Sequence, residues 1–438
     1  MSSRSKPTRR NFLSSSAAIA AAGTIGTSLT PKPAYGFHNS VDDELRIGLV
    51  GCGGRGTSAV VNALKGDSNS RVTALADAFP DRIASTLESL NAAEPKRMSV
   101  DKEHQFSGPL CHEELCTSAD VDVVLLATPP HFRPAQLKVA VEAGKHVFCE
   151  KPVGVDVPGV KSVLASCELA AKKGLSVVSG LCWRYDLGVN EMVSRIKDGE
   201  IGDIRSMEVN YYTGTLWHRG DGTVNPDTGE KRVWSKMEYQ LRNWLYFNWL
   251  SGDHIAEQHI HSIDKALWLM GDKPPTSCYG MGGRLVRTEE KYGNVYDHFA
   301  SVFSWEDEGI KAFSNCRQMK GCHNETNDHI VGTKGRASIL SWEIENELGK
   351  NNYEMKGKPS MYDVEHQHLF RSIREGKPIN NGTYMSYSTL MAIMGRNASY
   401  TGKKINWDEL MKDDTRLGPT DYDQADYEPA PVAMPGVK

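Results

Sequence analysis

The stretch RIGLVGCGGRG, residues 46–56, decides the fold. An apolar run ends at Gly51, and glycines at 51, 53 and 56 give the spacing G-x-G-x-x-G. Residues 54–66 have a helical pattern, so the glycines stand between a strand and a helix, where the dinucleotide fingerprint has them. In that fingerprint Gly51 permits a tight turn, Gly53 lets the backbone approach a pyrophosphate, and Gly56 lets helix and strand pack closely. We therefore predict a dinucleotide-binding turn with the phosphates at the helix N-terminus.

The next strand predicts which dinucleotide is bound. VTALAD, residues 72–77, ends at Asp77, 26 residues after Gly51. A carboxylate at this place accepts hydrogen bonds from the adenosine ribose and repels a 2′-phosphate. We therefore predict NAD rather than NADP, with Gly54 and Arg55 of the glycine turn also in contact with the cofactor.

Residues 45–180 alternate short apolar runs with helical stretches. The run VDVVLLAT (121–128) is apolar on both faces, as a buried parallel strand should be, and LSVVSG (175–180) follows a helical stretch. Alternation of strands and helices with short connections predicts a doubly wound parallel sheet. We therefore predict an α/β Rossmann domain over residues 45–180.

The pattern changes after about residue 200. Long segments alternate with a period of two, as in DHFASVFSW (297–305) and DHIVGTKGRASIL (328–340). This predicts an α+β domain over residues 181–410, with a large, mostly antiparallel sheet covered on one face by helices. Further predictions are helices at about 253–270, 359–375 and 386–400, irregular structure over 214–252, and a Pro-rich acidic tail over 411–438.

The first 36 residues predict an export signal. TRRNFL (8–13) places paired arginines before a polar residue and Phe-Leu, the core of a twin-arginine signal. Residues 11–30 carry no charge and are too weakly apolar for a membrane span. We predict a twin-arginine signal peptide over residues 1–36, cleaved after Gly36. The twin-arginine machinery would then export the folded chain to the periplasm or another extracytoplasmic space.

Composition excludes several classes of partner. Loss of residues 1–36, which hold five basic residues and no acid, takes the formal net charge from −4 to −9. No basic patch remains, which argues against nucleic acid and anionic membranes, and no second long apolar run is present. The nine cysteines are scattered and form no CxxC pair. We predict that they are core thiols, which suits export after folding because no disulfide has to form outside.

The stretch ATPPHFRPAQLKVAVEAGKHVFCEKP, residues 127–152, is more specific. It resembles the glucose–fructose oxidoreductase / inositol dehydrogenase / MocA family, whose members carry Thr-Pro after the third strand and GKHVxxEKP before the substrate domain. The similarity runs from about Arg46 to residue 410. At Arg133 the family usually has His, which leaves open whether this arginine contacts the cofactor or adds charge to the cleft. The resemblance implies a commonly cis Pro152 and cofactor contacts at Thr128, Pro129, His131, Glu150 and Lys151.

Three residues are predicted to be catalytic. In the family the lysine of EKP contacts cofactor and substrate, and an ammonium beside a reacting hydroxyl lowers the pKa of that hydroxyl, which supports the role for Lys151. SGDHIAEQHIHSIDKALWLMG (251–271) resembles the family segment D-x-G-x-H-x-x-D-x-x-x-W. That alignment makes His261 the general base, because the pKa of histidine lies near working pH. Glu257 is four residues earlier, so on one regular helix its carboxylate would orient the imidazole.

The same segment departs from the family pattern. Glu257 stands where the family has Asp, and His259 stands where it has Gly. A metal held by His254, Glu257 and His261 is an alternative reading, but the spacing matches no common metal site and His259 points elsewhere on a regular helix. We predict no metal.

Aromatic residues suggest a sugar site. Five of the nine tryptophans fall between residues 183 and 249, and aromatic rings stack on the C–H faces of sugars. The segment CWRYD (182–186) aligns with a family segment that lines the substrate cleft. The predicted substrate-binding residues are Arg184, Tyr185, Trp244, His254 and Asp264.

An exported enzyme can use a soluble cofactor only if NAD stays bound to it during transport and turnover. The first reading is an exported dehydrogenase that oxidises a ring hydroxyl of a sugar or glycoside and passes hydride on to another acceptor. The second is an NAD-dependent glycoside hydrolase that oxidises, eliminates, hydrates and reduces. The third is a non-catalytic dinucleotide sensor, against which Lys151 and His261 together argue. The resemblance also implies a homo-oligomer, a dimer or tetramer.

Overall fold

The computed structural model describes residues 43–224, 229–355 and 357–436. The predicted signal peptide lies outside the described residues. All structural statements below concern the described part of the chain.

The first sheet is built by the N-terminal part of the chain. Its six parallel strands stand in the order β3-β2-β1-β4-β5-β6, the doubly wound order of dinucleotide-binding folds. The strands are β1 Leu45–Val50, β2 Ser70–Asp77, β3 Gln105–Ser107, β4 Val123–Leu126, β5 His146–Cys149 and β6 Val177–Ser179. The helices between them are α1 Gly54–Gly66, α2 Pro80–Ala93, α3 Cys111–Thr117, α4 Arg133–Glu142 and α5 Val157–Lys173.

Local sequence explains these elements. The four residues of β4 are all buried, which requires helices on both faces of the sheet. Helix α5 begins after Asp156, whose side chain accepts the Gly159 N–H at 2.8 Å, and ends at Gly174 in the left-handed region. The predicted doubly wound sheet is confirmed.

The second sheet has nine strands in the order β16-β15-β14-β13-β7-β12-β11-β10-β17. Its pairings are antiparallel except that of β7 with β12, which is parallel. The strands are β7 Ile204–Thr213, β10 Ser277–Gly283, β11 His298–Trp305, β12 Ile310–Gln318, β13 Glu325–Gly332, β14 Gly335–Ser338, β15 Glu343–Asn346, β16 Gly349–Asn352 and β17 Ile405–Asn406, while β8 Gly222–Val224 and β9 Lys231–Val233 form a separate hairpin.

Helices pack on this sheet and on the first one. α10 and α12 contact its strands, whereas α11 returns to the first sheet and packs on α1. This confirms the predicted sheet covered by helices. The helices are α6 Leu187–Lys197, α7 Lys236–Arg242, α8 Asn248–Ser251, α9 His254–Glu257, α10 Ile260–Leu269, α11 Met361–Arg374, α12 Gly382–Thr401 and α13 Trp407–Leu410.

Three local predictions are wrong. The helix predicted at 253–270 is two helices, α9 and α10, interrupted at residues 258–259. The segment 328–340 lies in the antiparallel pair β13 and β14 because the chain turns at Thr333–Lys334. The stretch 214–252 contains short elements, β8, β9, α7 and α8, rather than none.

All nine cysteines are free and eight are buried, as predicted for core thiols. In the ranges that the structure covers, no helix combines the length and apolar character needed to span a bilayer.

Candidate active site

A cavity of about 300 Å³ opens at the carboxyl ends of β1, β2 and β4. One side is formed by the glycine turn, the end of β2 and the Thr128–Pro129 turn. The other side comes from distant parts of the chain. The predicted cofactor residues on its wall are Gly51, Gly53, Gly54, Arg55, Asp77, Thr128 and Pro129, whereas Gly56, His131, Glu150 and Lys151 are not on it.

Three glycines account for the shape of the turn. Gly51 has φ +102°, and a Cβ there would lie 2.6 Å from the backbone nitrogen of Thr128. A Cβ on Gly56 would lie 1.9 Å from the Gly51 carbonyl oxygen. A Cβ on Gly53 would meet nothing within 4 Å, so open space lies at the N-terminus of α1. This cradle fits a dinucleotide pyrophosphate, which needs open backbone N–H groups at a helix N-terminus.

Asp77 joins the glycine turn to the end of β2. Its Oδ2 accepts the Cys52 N–H at 2.7 Å, and its Oδ1 accepts the Phe79 N–H at 2.9 Å. Burial raises the pKa of the carboxyl group. Asp77 lines the cavity, as the predicted ribose contact requires.

Arg133 has a structural position. Its buried guanidinium donates hydrogen bonds to the carbonyl oxygens of Thr128 and Pro152, each at 2.5 Å. It therefore joins the Thr128–Pro129 turn to the cis Lys151–Pro152 peptide. The sequence left open whether Arg133 contacts the cofactor or adds charge to the cleft. In the structure its guanidinium instead binds these two backbone carbonyl oxygens.

His131 contacts the C-terminal tail. Its Nε2 lies 2.8 Å from the Tyr422 hydroxyl, and its ring packs edge-on against Trp249. Burial lowers the pKa of His131 to about 4, so the ring is neutral. Tyr422 lines the cavity and His131 does not, so His131 supports the cavity wall through Tyr422, and its contact with the cofactor stays a prediction.

Lys151 follows β5, and it contacts Glu257 at the end of α9, just before the helix α10 that carries His261. Lys151 Nζ donates to the Glu257 carbonyl oxygen and lies 3.2 Å from Glu257 Oε1. His261 is buried, and its Nδ1 has no hydrogen-bond partner among the described residues. Burial first, and then the charge of Lys151, lower the pKa of His261 well below its ordinary value. The imidazole is therefore neutral and able to accept a proton.

The predicted pairing of Glu257 with His261 on one helix face is wrong. Glu257 ends α9 and His261 belongs to α10, so the i,i+4 spacing no longer makes them neighbours on a regular helix. The Glu257 carboxylate is paired with Lys151 instead. It positions the ammonium rather than the imidazole.

Glu150 and Arg55 belong to a buried charge cluster. The Arg55 guanidinium pairs with Glu150 and with Glu365, the latter at 2.9 Å. Burial, followed by the charge of Glu150, raises the pKa of Glu365 well above its ordinary value. Arg55 also lines the cavity, so two carboxylates hold it at the glycine turn. No sequence signal marked Glu365, which stands 310 residues from Arg55.

Four predicted substrate residues lie in buried networks. Arg184 pairs with Asp264 and Asp272 at 2.8 and 2.7 Å and stacks 3.9 Å over the Tyr384 ring. The Tyr185 hydroxyl donates to Asn381 at 2.8 Å. His254 Nδ1 lies 3.1 Å from Asp253. These contacts give Arg184, Tyr185, His254 and Asp264 partners within the protein, while His254 Nε2 has no hydrogen-bond partner among the described residues. Their contact with substrate stays a prediction.

The tryptophan cluster is divided between the core and the cavity. Trp249 is buried and its Nε1 donates to Gln240 at 2.8 Å. Trp217 and Trp244 line the cavity that begins at the glycine turn. Contact of Trp244 with substrate stays a prediction.

Several cavity residues escaped sequence analysis because they carry no motif. They are Phe79, Arg82, Arg219, Leu241, Arg242 and Tyr422. No group of three or more His, Cys, Asp or Glu side chains in residues 43–224, 229–355 and 357–436 is arranged to hold a metal.

The chain was compared with known families and proteins. Residues 45–180 match the family model described as an oxidoreductase family with an NAD-binding Rossmann fold. Residues 189–338 match the GFO/IDH/MocA C-terminal domain. The two ranges together cover more than half of the chain.

Two relatives and one solved structure illustrate the similarity. The 2,7-anhydro-N-acetylneuraminate hydratase of Escherichia coli is 28% identical over 199 residues, 45% of this chain and 46% of the relative. A glycosyl hydrolase family 109 protein of Shewanella amazonensis is 29% identical over 226 residues, 48% of this chain and 47% of the relative. The alignments thus span about half the length of these two relatives.

A levoglucosan dehydrogenase solved with NADH and levoglucosan superposes with a TM-score of 0.64 at 16% identity, covering 83% of this chain and 99% of that one. At this identity the likeness shows the fold alone. The two family matches carry the assignment, and they agree with the glycine cradle and the two sheets. The chain therefore belongs to the Gfo/Idh/MocA family of oxidoreductases, with an NAD-binding Rossmann domain at its N-terminal end.

Proposed function

We propose that the mature protein is an exported oxidoreductase that oxidises a ring hydroxyl of a sugar or glycoside while NAD stays bound. The observation that carries the proposal is that the Lys151 ammonium, held by Glu257 at 3.2 Å, acts on the buried imidazole of His261. Lys151 directly follows Glu150, the partner of the cavity residue Arg55. A lysine and a neutral histidine are the groups that removal of a hydroxyl proton requires.

The roles follow from the charges. NAD, when bound, supplies the hydride acceptor. The Lys151 ammonium orients the substrate hydroxyl and stabilises the alkoxide that develops on it. His261 accepts the hydroxyl proton, since burial keeps its imidazole neutral. Glu257 fixes the position of Lys151, and the buried carboxylates of Glu150 and Glu365 hold Arg55 at the glycine turn.

The test uses purified mature protein and a screen of glycosides. We expect a nicotinamide absorbance that rises when the right glycoside is added. The variant His261→Ala should abolish this rise while bound NAD, measured by mass spectrometry, is unchanged. If His261→Ala reduces its NAD at the parent rate, His261 is not the base.

Export with a bound cofactor is part of the proposal. The twin-arginine route carries folded proteins, so NAD acquired inside the cell can travel with the chain. A dissociation constant near nanomolar corresponds to about 12 kcal/mol of binding. Replacing Arg9 and Arg10 by Lys should retain the protein in the cytoplasm, measured by fractionation. Equal export of the variant would refute this route.

A second candidate is an NAD-dependent glycoside hydrolase, which the glycosyl hydrolase family 109 relative supports. Oxidation of a ring carbon would acidify the neighbouring C–H, elimination would expel the aglycone, water would add, and hydride would return to the sugar. Release of free sugar without net NADH would select this reading. Accumulation of an oxidised glycoside with reduced cofactor would select the dehydrogenase.

We also propose that the protein is a homo-oligomer. Tyr279, Met281 and Phe313 are exposed on one face of neighbouring strands of the nine-stranded sheet. Pairing of two such faces would remove them from water. Sedimentation of the mature protein as a monomer would refute this.

A further inference from the structure

The cavity wall opposite the glycine turn comes from outside the Rossmann domain. It consists of two short segments, residues 217–219 and 241–244, which we call the facing wall. Trp217, Arg219, Arg242 and Trp244 are its main side chains. Nothing in the glycine fingerprint requires such a wall, so its role needs a separate explanation.

The two segments hold each other in place. Arg219 N–H donates to Asn243 Oδ1 at 2.9 Å, and Asn243 Nδ2 donates to the Gly220 carbonyl oxygen at 3.0 Å. Asn243 is fully buried. The rings of Trp217 and Trp244 meet edge to face with centroids 6.4 Å apart. The facing wall is therefore a preorganised surface and not a pair of independent loops.

An ion pair attaches the facing wall to the Rossmann domain. Arg242 donates two hydrogen bonds to Asp81, at 2.8 and 2.9 Å, and its guanidinium lies 3.9 Å over the Phe79 ring. The Arg242 side chain is only 5% exposed. Asp81 is in the first turn of α2, four residues after Asp77. The attachment therefore lies next to the predicted adenosine end of the cavity.

Two further arginines contribute positive charge to this cavity. Arg82 and Arg219 both line it, and the described residues provide neither guanidinium with a hydrogen-bonded carboxylate. Arg219 lies 4.4 Å over the Trp217 ring. Burial first, and then the charge of Arg82, lower the pKa of Arg219, and the charge of Arg82 also acts on Asp77 and Asp81. Two neighbouring cations on a cavity wall suit an anionic ligand group between them.

We propose that Arg219, together with Arg82, binds a phosphate oxygen of the dinucleotide from the facing wall, and that the Arg242–Asp81 pair holds the wall at that place. This inference rests on the cofactor of the proposed function and deepens it, since a second phosphate contact slows dissociation of NAD. The phosphate is the pyrophosphate of NAD or the 2′-phosphate of NADP. The Asp77 carboxylate favours the pyrophosphate, because it repels a 2′-phosphate.

Binding of NADH to the full mature chain tests the proposal without any sugar. Trp217 and Trp244 line the cavity, so energy transfer from tryptophan to the reduced nicotinamide reports occupancy. Arg219→Met should weaken NADH binding about tenfold or more, because a charge-assisted hydrogen bond is lost. Arg219→Lys, which keeps the charge, should recover part of that loss. Arg242→Met should speed dissociation of NADH.

The control is Arg336→Met, which removes the exposed pair of Arg336 with Glu345 between β14 and β15, neither of which lines the cavity. It should bind NADH as the parent does. Repeating the titration with NADPH identifies the phosphate. If Arg219→Met loses affinity equally for both dinucleotides, Arg219 binds the pyrophosphate. If it loses affinity for NADPH alone, Arg219 binds the 2′-phosphate.

Parent-like affinity of a folded Arg219→Met for both dinucleotides would overturn the proposal. So would a loss that Arg219→Lys does not recover, because a merely structural arginine would give that result. The outcome is separable from the proposed function. A chain that needs Arg219 for NADH but oxidises no sugar would refute the function and leave this inference standing.

Discussion

Alanine substitutions at two glycines of the glycine turn, Gly53 and Gly56, should have different effects. A Cβ on Gly56 would lie 1.9 Å from the Gly51 carbonyl oxygen, whereas ordinary van der Waals contact begins near 3.4 Å. The added methyl must therefore move backbone by more than an ångström. A Cβ on Gly53 would meet nothing within 4 Å, because the space beside it is where we place the pyrophosphate. Gly56→Ala should damage the fold, and Gly53→Ala should damage binding.

The magnitudes follow from these contacts. A clash of the new methyl with the backbone costs about 3 kcal/mol or more of stability. The higher helix propensity of alanine offsets about 1 kcal/mol of this cost, since Gly56 lies within α1. Gly56→Ala should thus lower the free energy of unfolding by about 2 kcal/mol or more. Gly53→Ala, at the N-cap of α1, should change it by less than about 1 kcal/mol. Gly53→Ala should weaken NADH binding about tenfold or more, since the methyl group occupies the space that a phosphate needs.

Denaturant unfolding of the cofactor-free protein and fluorescence titration with NADH measure the two effects. Gly214→Ala is the matched control, because a Cβ there also meets nothing within 4 Å and the residue is not on the cavity wall. Parent-like stability of Gly56→Ala, or unchanged NADH affinity of Gly53→Ala, would refute the reading of the turn.

Three further predictions concern buried charges. Lys265→Met leaves Asp328, fully buried and 2.9 Å away, without its partner, so the free energy of unfolding should fall by about 3–5 kcal/mol. Adding Asp328→Leu to Lys265→Met should recover part of the lost free energy of unfolding, measured by denaturant unfolding. His366 has a pKa lowered to about 4 by burial, so the unfolded chain binds more protons below pH 6.5. Stability should therefore fall as pH drops from 6.5 towards 4, by about 2 kcal/mol at pH 5 from this group, and the pH dependence of unfolding should be shallower in His366→Leu. The lowered pKa of His261 should place the acidic limb of the kcat/KM profile below about pH 6.5, and a limb above that value would argue against His261 as the base.

Local signals in the sequence were sufficient to predict the first sheet. The strand of residues 45–50, the glycine turn and the helix 54–66 each depend on neighbours within a few residues, and the structure has them at those places. The Thr128–Pro129 turn was equally visible. Partners far along the chain could not be predicted from local sequence: the pairing of Arg184 with Asp264 and Asp272 is visible only in the structure.

The sequence by itself determined that a dinucleotide turn opens the fold and that a mostly antiparallel sheet follows. Its resemblance to the family led to the prediction that Lys151 and His261 are catalytic. Backbone conformation at glycines and the period of apolar residues are short-range properties, so they can be read along the chain. Only the tertiary structure decided that Glu257 holds Lys151, that Glu365 reaches Arg55, and that a wall containing Arg219 faces the glycine turn. These contacts join segments separated by about a hundred residues or more, and packing of the two sheets, not local pattern, brings them together.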